Sequence, residues 1–131
     1  MKTIEKKRSF NVSPQMIWNI ISDLSRSDWV PGVESINLED NVRIFKMKGM
    51  GRLVERILKC DHDALELEYS AVETIAPINH HLAKIKLVSN ENESTNFIWT
   101  TEIDPEEFAD AILQGMVSSL DQLESVLSET T

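Results

Sequence analysis

A single cysteine, Cys60, leaves this chain without an internal disulfide framework and fits a reducing compartment. Long apolar runs are missing too. None approaches the ~18 residues that a membrane-spanning helix needs. The opening stretch MKTIEKKRSF is too polar for a secretory signal, so a cytoplasmic protein is expected. Positive charge is scarce: 13 Lys and Arg against 22 Asp and Glu give a net charge of −9. After Arg56 the only cationic residues are Lys59, Lys84 and Lys86. No nucleic-acid partner is expected, because affinity for nucleic acid requires clustered Lys and Arg. The one basic run, Lys6-Lys7-Arg8, is short, lies next to Glu5 and reads as a solvated strand face. GxSxG, P-loop, GxGxxG and CxxC patterns are all absent, so no cofactor is implied.

What is present suits one domain over residues 1–131. Ser13-Pro14 opens a helix, with a capping hydroxyl and a proline at the first helical position. Ile17, Ile20, Ile21 and Leu24 form one apolar stripe along it, which predicts a helix to about Leu24. A turn-rich segment follows, in which Trp29 stands between Asp28 and Val30-Pro31-Gly32. Alternating, β-branched and aromatic residues predict strands over 42–48, 52–59, 64–72, 79–88 and 95–103. Weaker patterns cover 3–12 and 33–38. Gly49-Met50-Gly51, Asp61-His62-Asp63 and Asn90-Glu91-Asn92-Glu93 supply the turns of consecutive antiparallel hairpins. Asp104-Pro105-Glu106-Glu107 carries a cap, a proline and a capping-box acid. It predicts a last helix whose apolar face runs from Phe108 to Leu127. Helices set apart from a run of hairpins indicate an α+β fold.

Side chains alternate along a strand, and antiparallel partners share a face. A hairpin centred on Asn92 opposes Leu87 to Phe97, Ile85 to Trp99 and Ala83 to Thr101. One centred on Gly49 opposes Phe45 to Leu53 and Arg43 to Glu55. One centred on Asp61 opposes Ile57 to Leu65 and Glu55 to Leu67. The odd-numbered set then faces one way across five strands. The even set, rich in Lys, Arg and Glu, faces solvent. The odd face mixes Arg43, Glu55, Tyr69, Asn79, His81 and Thr101 with Phe45, Met47, Ile57, Leu65, Leu67, Ile85, Phe97 and Trp99. So many polar groups are costly in a close-packed core, whereas apolar walls with a few polar groups are what a small-molecule pocket looks like. Gly115 in the last helix has two readings: space left for a ligand, or a close approach of helix to sheet.

Arg43 and Glu55 are the sharpest pair of chemical groups. Buried together, they orient a ligand or supply a base; equally, they neutralise one another as a structural pair. His80 and His81 point to opposite faces of a strand and cannot share an ion, so no metal site is expected. His81 is a candidate for a pocket hydrogen bond or a satisfied core histidine. Cys60, at a hairpin tip, lacks the base and shaped site that a nucleophile needs. Met47, Met50 and Met116 suit irregular core or pocket space.

The stretches SFNVSPQMIWNIISDLSRSDWVPGVESINL, GRLVERILKCD, ALELEYSAVE and STNFIWTTEID, followed by the long amphipathic helix, resemble the START-like (SRPBCC) superfamily. The resemblance is to its small polyketide cyclase/dehydrase-type members, related to the birch-pollen allergen, and it covers essentially the whole chain. It implies a helix-grip fold: a seven-stranded antiparallel sheet curved around the C-terminal helix, with two short helices between strands 1 and 2. It also implies an apolar ligand between sheet and helix. On that basis the residues expected to meet a ligand are Trp29, Arg43, Phe45, Glu55, Leu67, Tyr69, His81, Ile85, Trp99, Ile112 and Met116. Trp29 would stand at the pocket mouth, as ligand contact or as core plug. Three functions remain open. One is a binding protein for a lipid, polyketide or aromatic metabolite. Another is a cyclase/dehydrase-type enzyme with Glu55, Arg43 and His81 as candidate proton-transfer groups. The last is an interaction module or homodimer without a ligand.

Overall fold

Ser13 begins the first helix as its sequence predicts. In the computed structural model, which describes residues 1–130 (Thr130 by its backbone alone), its hydroxyl accepts from Met16 N at 3.4 Å. Helix α1 spans Pro14–Ile21 and buries Ile17, Trp18, Ile20 and Ile21. It stops three residues short of Leu24. Ser22 N closes the last turn onto Trp18 O at 2.9 Å. Beyond it, Asp23 receives Ser25 Oγ at 3.1 Å, the local side-chain bonding that competes with helix.

The expected second short helix does not form; one helix stands between the first two strands. Residues 22–35 make separate turns instead, with Arg26 N to Asp23 O, Val30 N to Ser27 O and Val33 N to Val30 O at 3.0–3.3 Å. Pro31 disfavours helical backbone at Val30, and Gly32 sits at φ +82°, so the turns cannot fuse. The segment is nevertheless anchored. Lys48 N donates to Gly32 O at 2.9 Å, and Gln122 Nε2 to Asp28 O at 3.1 Å.

Seven strands form one antiparallel sheet: β1 (Lys2–Phe10), β2 (Ile36–Glu39), β3 (Val42–Met47), β4 (Gly51–Asp61), β5 (Glu66–Glu73), β6 (His80–Ser89) and β7 (Thr95–Asp104). Their order is β1-β7-β6-β5-β4-β3-β2, so all but the β1–β7 pair are sequence neighbours. The first and third hairpins have the predicted register. Phe45 pairs with Leu53 and Arg43 with Glu55; Leu87 pairs with Phe97, Ile85 with Trp99 and Ala83 with Thr101.

The middle hairpin differs. Ile57 pairs with Tyr69 and Glu55 with Ala71, not with Leu65 and Leu67. Asp61 Oδ1 accepts from Asp63 N at 3.0 Å and Ala64 N at 2.9 Å. Leu65, with φ 57°, returns to Asp61 O at 2.8 Å. The turn is therefore longer than one centred on Asp61. At its tip Cys60 opposes Leu67, and the register shifts between Ile57 and Lys59. The bulge absorbs Leu58 and restores odd opposite odd, so the face assignment survives a wrong register.

A 3₁₀ turn, Glu106–Phe108, precedes helix α2, Ala109–Thr130. The expected capping box is absent, since no side chain caps that turn. Leu120 and Leu123 of α2 are fully buried and join Phe97, Leu67, Ile85 and Trp18 in one core cluster. The even face of the sheet is largely solvated, but Val54 is buried on it. Arg8 also departs from its solvated reading. In β1 the even positions Ile4 and Phe10 are buried, which turns Arg8 inward, where its Nη1 meets Asp121 of α2 at 2.8 Å.

Candidate functional site

Between the sheet and the first half of α2 lies a cavity of about 200 Å³. Odd positions of β3, β4, β5 and β7 build its floor: Arg43, Phe45, Met47, Leu53, Glu55, Leu67, Tyr69, Ala71, Trp99 and Thr101. Phe108, Ala111, Ile112, Gly115, Met116 and Ser119 form the helical wall. Trp29 and Val30 close one side. Thr74, Ala76 and Ile78, from the loop between β5 and β6, close another with Met50 of the β3–β4 turn. Met50, Ala111 and Gly115 are exposed and mark where the cavity opens.

Ten of the eleven residues expected to meet a ligand lie in this wall: Trp29, Arg43, Phe45, Glu55, Leu67, Tyr69, His81, Trp99, Ile112 and Met116. Ile85 does not. It is 1% exposed and packs wholly within the core cluster. Trp29 is both plug and wall. It belongs to the core cluster, lines the cavity, and holds its ring 6.0 Å from that of Trp99. Asn79, counted on the odd face, precedes β6 and is exposed. The β5–β6 loop residues were not foreseen, because a loop has no periodic signal. Leu53 shares the odd parity and could have been found by it.

Gly115 is not a point of close approach. A Cβ placed there would meet nothing within 4 Å. The residue leaves space, at a cost of up to ~1 kcal/mol in a helix interior relative to Ala.

The polar groups gather on the sheet side. Arg43 Nη2 donates to Glu55 Oε1 at 2.6 Å, with side chains only 9% and 14% exposed. The guanidinium carbon lies 4.9 Å from the Tyr69 ring centroid, a cation–π distance. Tyr69 in turn is 6.1 Å from the His81 ring. Burial pushes the Glu55 carboxyl above its ordinary range, and Arg43 opposes that shift without cancelling it. Burial, and then the Glu55 charge, raise the Tyr69 phenol well above its usual value, so it stays protonated. His81 is pushed down to about 4, first by burial and then by His80. Its Nδ1 accepts from Ala71 N at 2.8 Å, which places the proton of the neutral ring on Nε2. His80 points the other way, to Glu102 at 3.0 Å.

Two buried donors in the cavity wall, Arg43 Nε and Trp99 Nε1, have no hydrogen-bond partner among the described residues. Trp99 lies close enough to Tyr69 to ease ionisation of the phenol slightly but not to satisfy its own N–H. Cys60 is half-buried at the β4 end, and burial raises its thiol pKa. The thiol is the less nucleophilic form.

A family model described as polyketide cyclase/dehydrase and lipid transport matches residues 1–127. Solved structures repeat the fold. XoxI from Bacillus cereus superposes with a TM-score of 0.89 at 19% identity, covering 99% of this chain and 98% of that one. A solution structure from Thermobifida fusca gives 0.85 at 24%, covering 98% and 95%. A START superfamily protein from Mycobacterium smegmatis gives 0.77 at 12%, covering 98% and 99%. A search of curated proteins finds no significant match.

Proposed function

The chain belongs to the polyketide cyclase/dehydrase and lipid transport family, and on that premise we propose that it binds a small, mainly hydrophobic molecule between its sheet and α2. One observation carries the reading: a cavity with largely apolar walls, a cluster of polar groups on one side and an opening beside Gly115. Apolar walls with a few placed polar groups are the usual form of a small-molecule site. At about 200 Å³ the space falls below the ~300–1,000 Å³ of drug-sized sites, which suits a molecule of one or two rings or a short chain.

Filling the space tests this. Gly115→Phe should abolish the fluorescence gained by the two-ring naphthalene dye prodan on binding, with near-UV circular dichroism unchanged. Gly115→Ala should retain the dye and gain up to ~1 kcal/mol against urea. Undiminished dye binding in folded Gly115→Phe would place the dye elsewhere and remove the reading.

A second reading, catalysis, is favoured by the Glu55 carboxyl, which burial raises inside the cavity wall. Shifted carboxyls in clefts are characteristic of general acids and bases. Glu55→Gln separates the two. It ends turnover if Glu55 transfers a proton, and it leaves ligand retention largely intact in a binding protein.

A further inference from the structure

Two donors in the polar cluster of the cavity stand without an acceptor. Arg43 Nε–H and Trp99 Nε1–H are buried and unpartnered. His81 directs its acceptor nitrogen to Ala71 N at 2.8 Å, which leaves Nε2–H as its only other polar group. Glu55 Oε1 accepts from Arg43 Nη2 at 2.6 Å, and neither carboxylate oxygen reaches the two free donors. The charges in the cluster cancel: one guanidinium faces one carboxyl, and the imidazole is neutral. Each buried donor without an acceptor costs ~1–3 kcal/mol, and no oxygen among the described residues, the nearby Tyr69 hydroxyl included, satisfies them.

We infer that the ligand carries an uncharged oxygen acceptor, such as a ketone or other carbonyl, and seats it against the donors of Arg43 and Trp99. Its apolar body then lies toward Phe45, Leu53, Ile112 and Met116. This rests on the reading of the cavity as a ligand site and adds the chemical class of what fills it. A carboxylate is disfavoured because Glu55 already neutralises Arg43, so a second anion would face the first. A plain hydrocarbon is disfavoured because it would seal the two donors in without a partner. Tyr69 supports the same class. Burial keeps its phenol protonated, so its hydroxyl remains able to donate to the same oxygen.

Three naphthalenes of one shape test the inference by isothermal titration calorimetry at pH 7. 2-Acetylnaphthalene carries the carbonyl, 2-ethylnaphthalene replaces it with methylene, and 2-naphthoate carries a charge. The ketone should bind at least about tenfold more tightly than the hydrocarbon, since a satisfied buried donor is worth ~1–3 kcal/mol. In Trp99→Phe that preference should narrow about threefold or more while the hydrocarbon still binds. Equal binding of ketone and hydrocarbon overturns the inference and leaves the cavity as a ligand site. Tighter binding of 2-naphthoate than of the ketone overturns it too, because the site would then read charge. If neither neutral compound binds, the inference falls together with the reading on which it rests. The comparison in the wild-type protein stands even if Trp99→Phe fails to fold.

Discussion

Arg43→Met is expected to cost about 3–5 kcal/mol of folding stability near pH 8, the scale for breaking a buried ion pair from one side. The loss comes less from the 2.6 Å contact itself than from what remains. Glu55 is largely buried, and burial already raises its carboxyl pKa even with Arg43 present. Without the guanidinium the carboxyl has either to remain charged in an apolar wall or to take up a proton. The sign of the pH dependence follows. A carboxyl whose folded pKa lies above its unfolded value of 4.5 contributes fully below 4.5, and that contribution is lost as pH rises through the folded value. The Arg43→Met deficit should therefore be smaller at pH 5 than at pH 8, growing by up to ~1.4 kcal/mol per unit as pH rises from the wild-type folded value toward the variant's higher one. Adding Glu55→Gln should recover most of it. Urea unfolding of the single and double variants at pH 5 and pH 8 checks this. A deficit equal at both pH values would mean that packing, not the stranded carboxyl, sets the cost.

His81 should dominate the acid limb of the wild-type stability curve. Its ring is held neutral, with a pKa lowered from 6.5 to about 4, and its Nδ1 is occupied by Ala71 N–H at 2.8 Å. To protonate Nδ1 the protein must give up that bond and charge a largely enclosed ring. A depressed basic group contributes stability that is present above its unfolded pKa of 6.5 and disappears as pH falls to about 4. The linked free energy is about 3 kcal/mol. Glu55 works in the opposite sense from 4.5 upward, so the wild-type slope alone does not isolate His81. The comparison with His81→Asn does. Asparagine Oδ1 can accept from Ala71 N–H but does not titrate, so the variant should lose about 3 kcal/mol less than wild type between pH 7 and pH 4. Parallel curves for the two proteins would show that the ring is not held neutral by the fold.

Much of this site was legible because parity is a robust signal. A strand residue's face depends only on odd or even position, so Arg43, Glu55, Tyr69 and Trp99 could be brought to one side before any register was certain. The middle hairpin shows how robust. Its register was displaced by the long Asp61–Leu65 turn, yet the bulge at Leu58 returned the odd residues to the same face. Local signals failed where tertiary contacts decide. The short second helix was expected from resemblance, but Pro31 and Gly32 broke it into turns. Thr74, Ala76 and Ile78 reached the cavity through a loop with no pattern to read. Ile85 has the right parity and the wrong depth, because parity does not tell which part of a concave face lies over packed carbon and which over open space. Arg8 was misplaced because β1 pairs with β7 across the whole length of the chain, and there its even positions turn inward.

Three tryptophans allow the most direct test that the hollow between sheet and α2 is the place where a ligand sits. Trp29 and Trp99 line it. Trp18 is buried elsewhere, its Nε1–H held by His62 Nδ1 at 3.0 Å, and so serves as an internal control. In a ¹H–¹⁵N correlation spectrum, titration with 2-acetylnaphthalene should move the indole N–H peaks of Trp99 and Trp29 to saturation and leave that of Trp18 in place. A shift confined to Trp18, or three unmoved peaks at concentrations where calorimetry reports binding, would contradict the account.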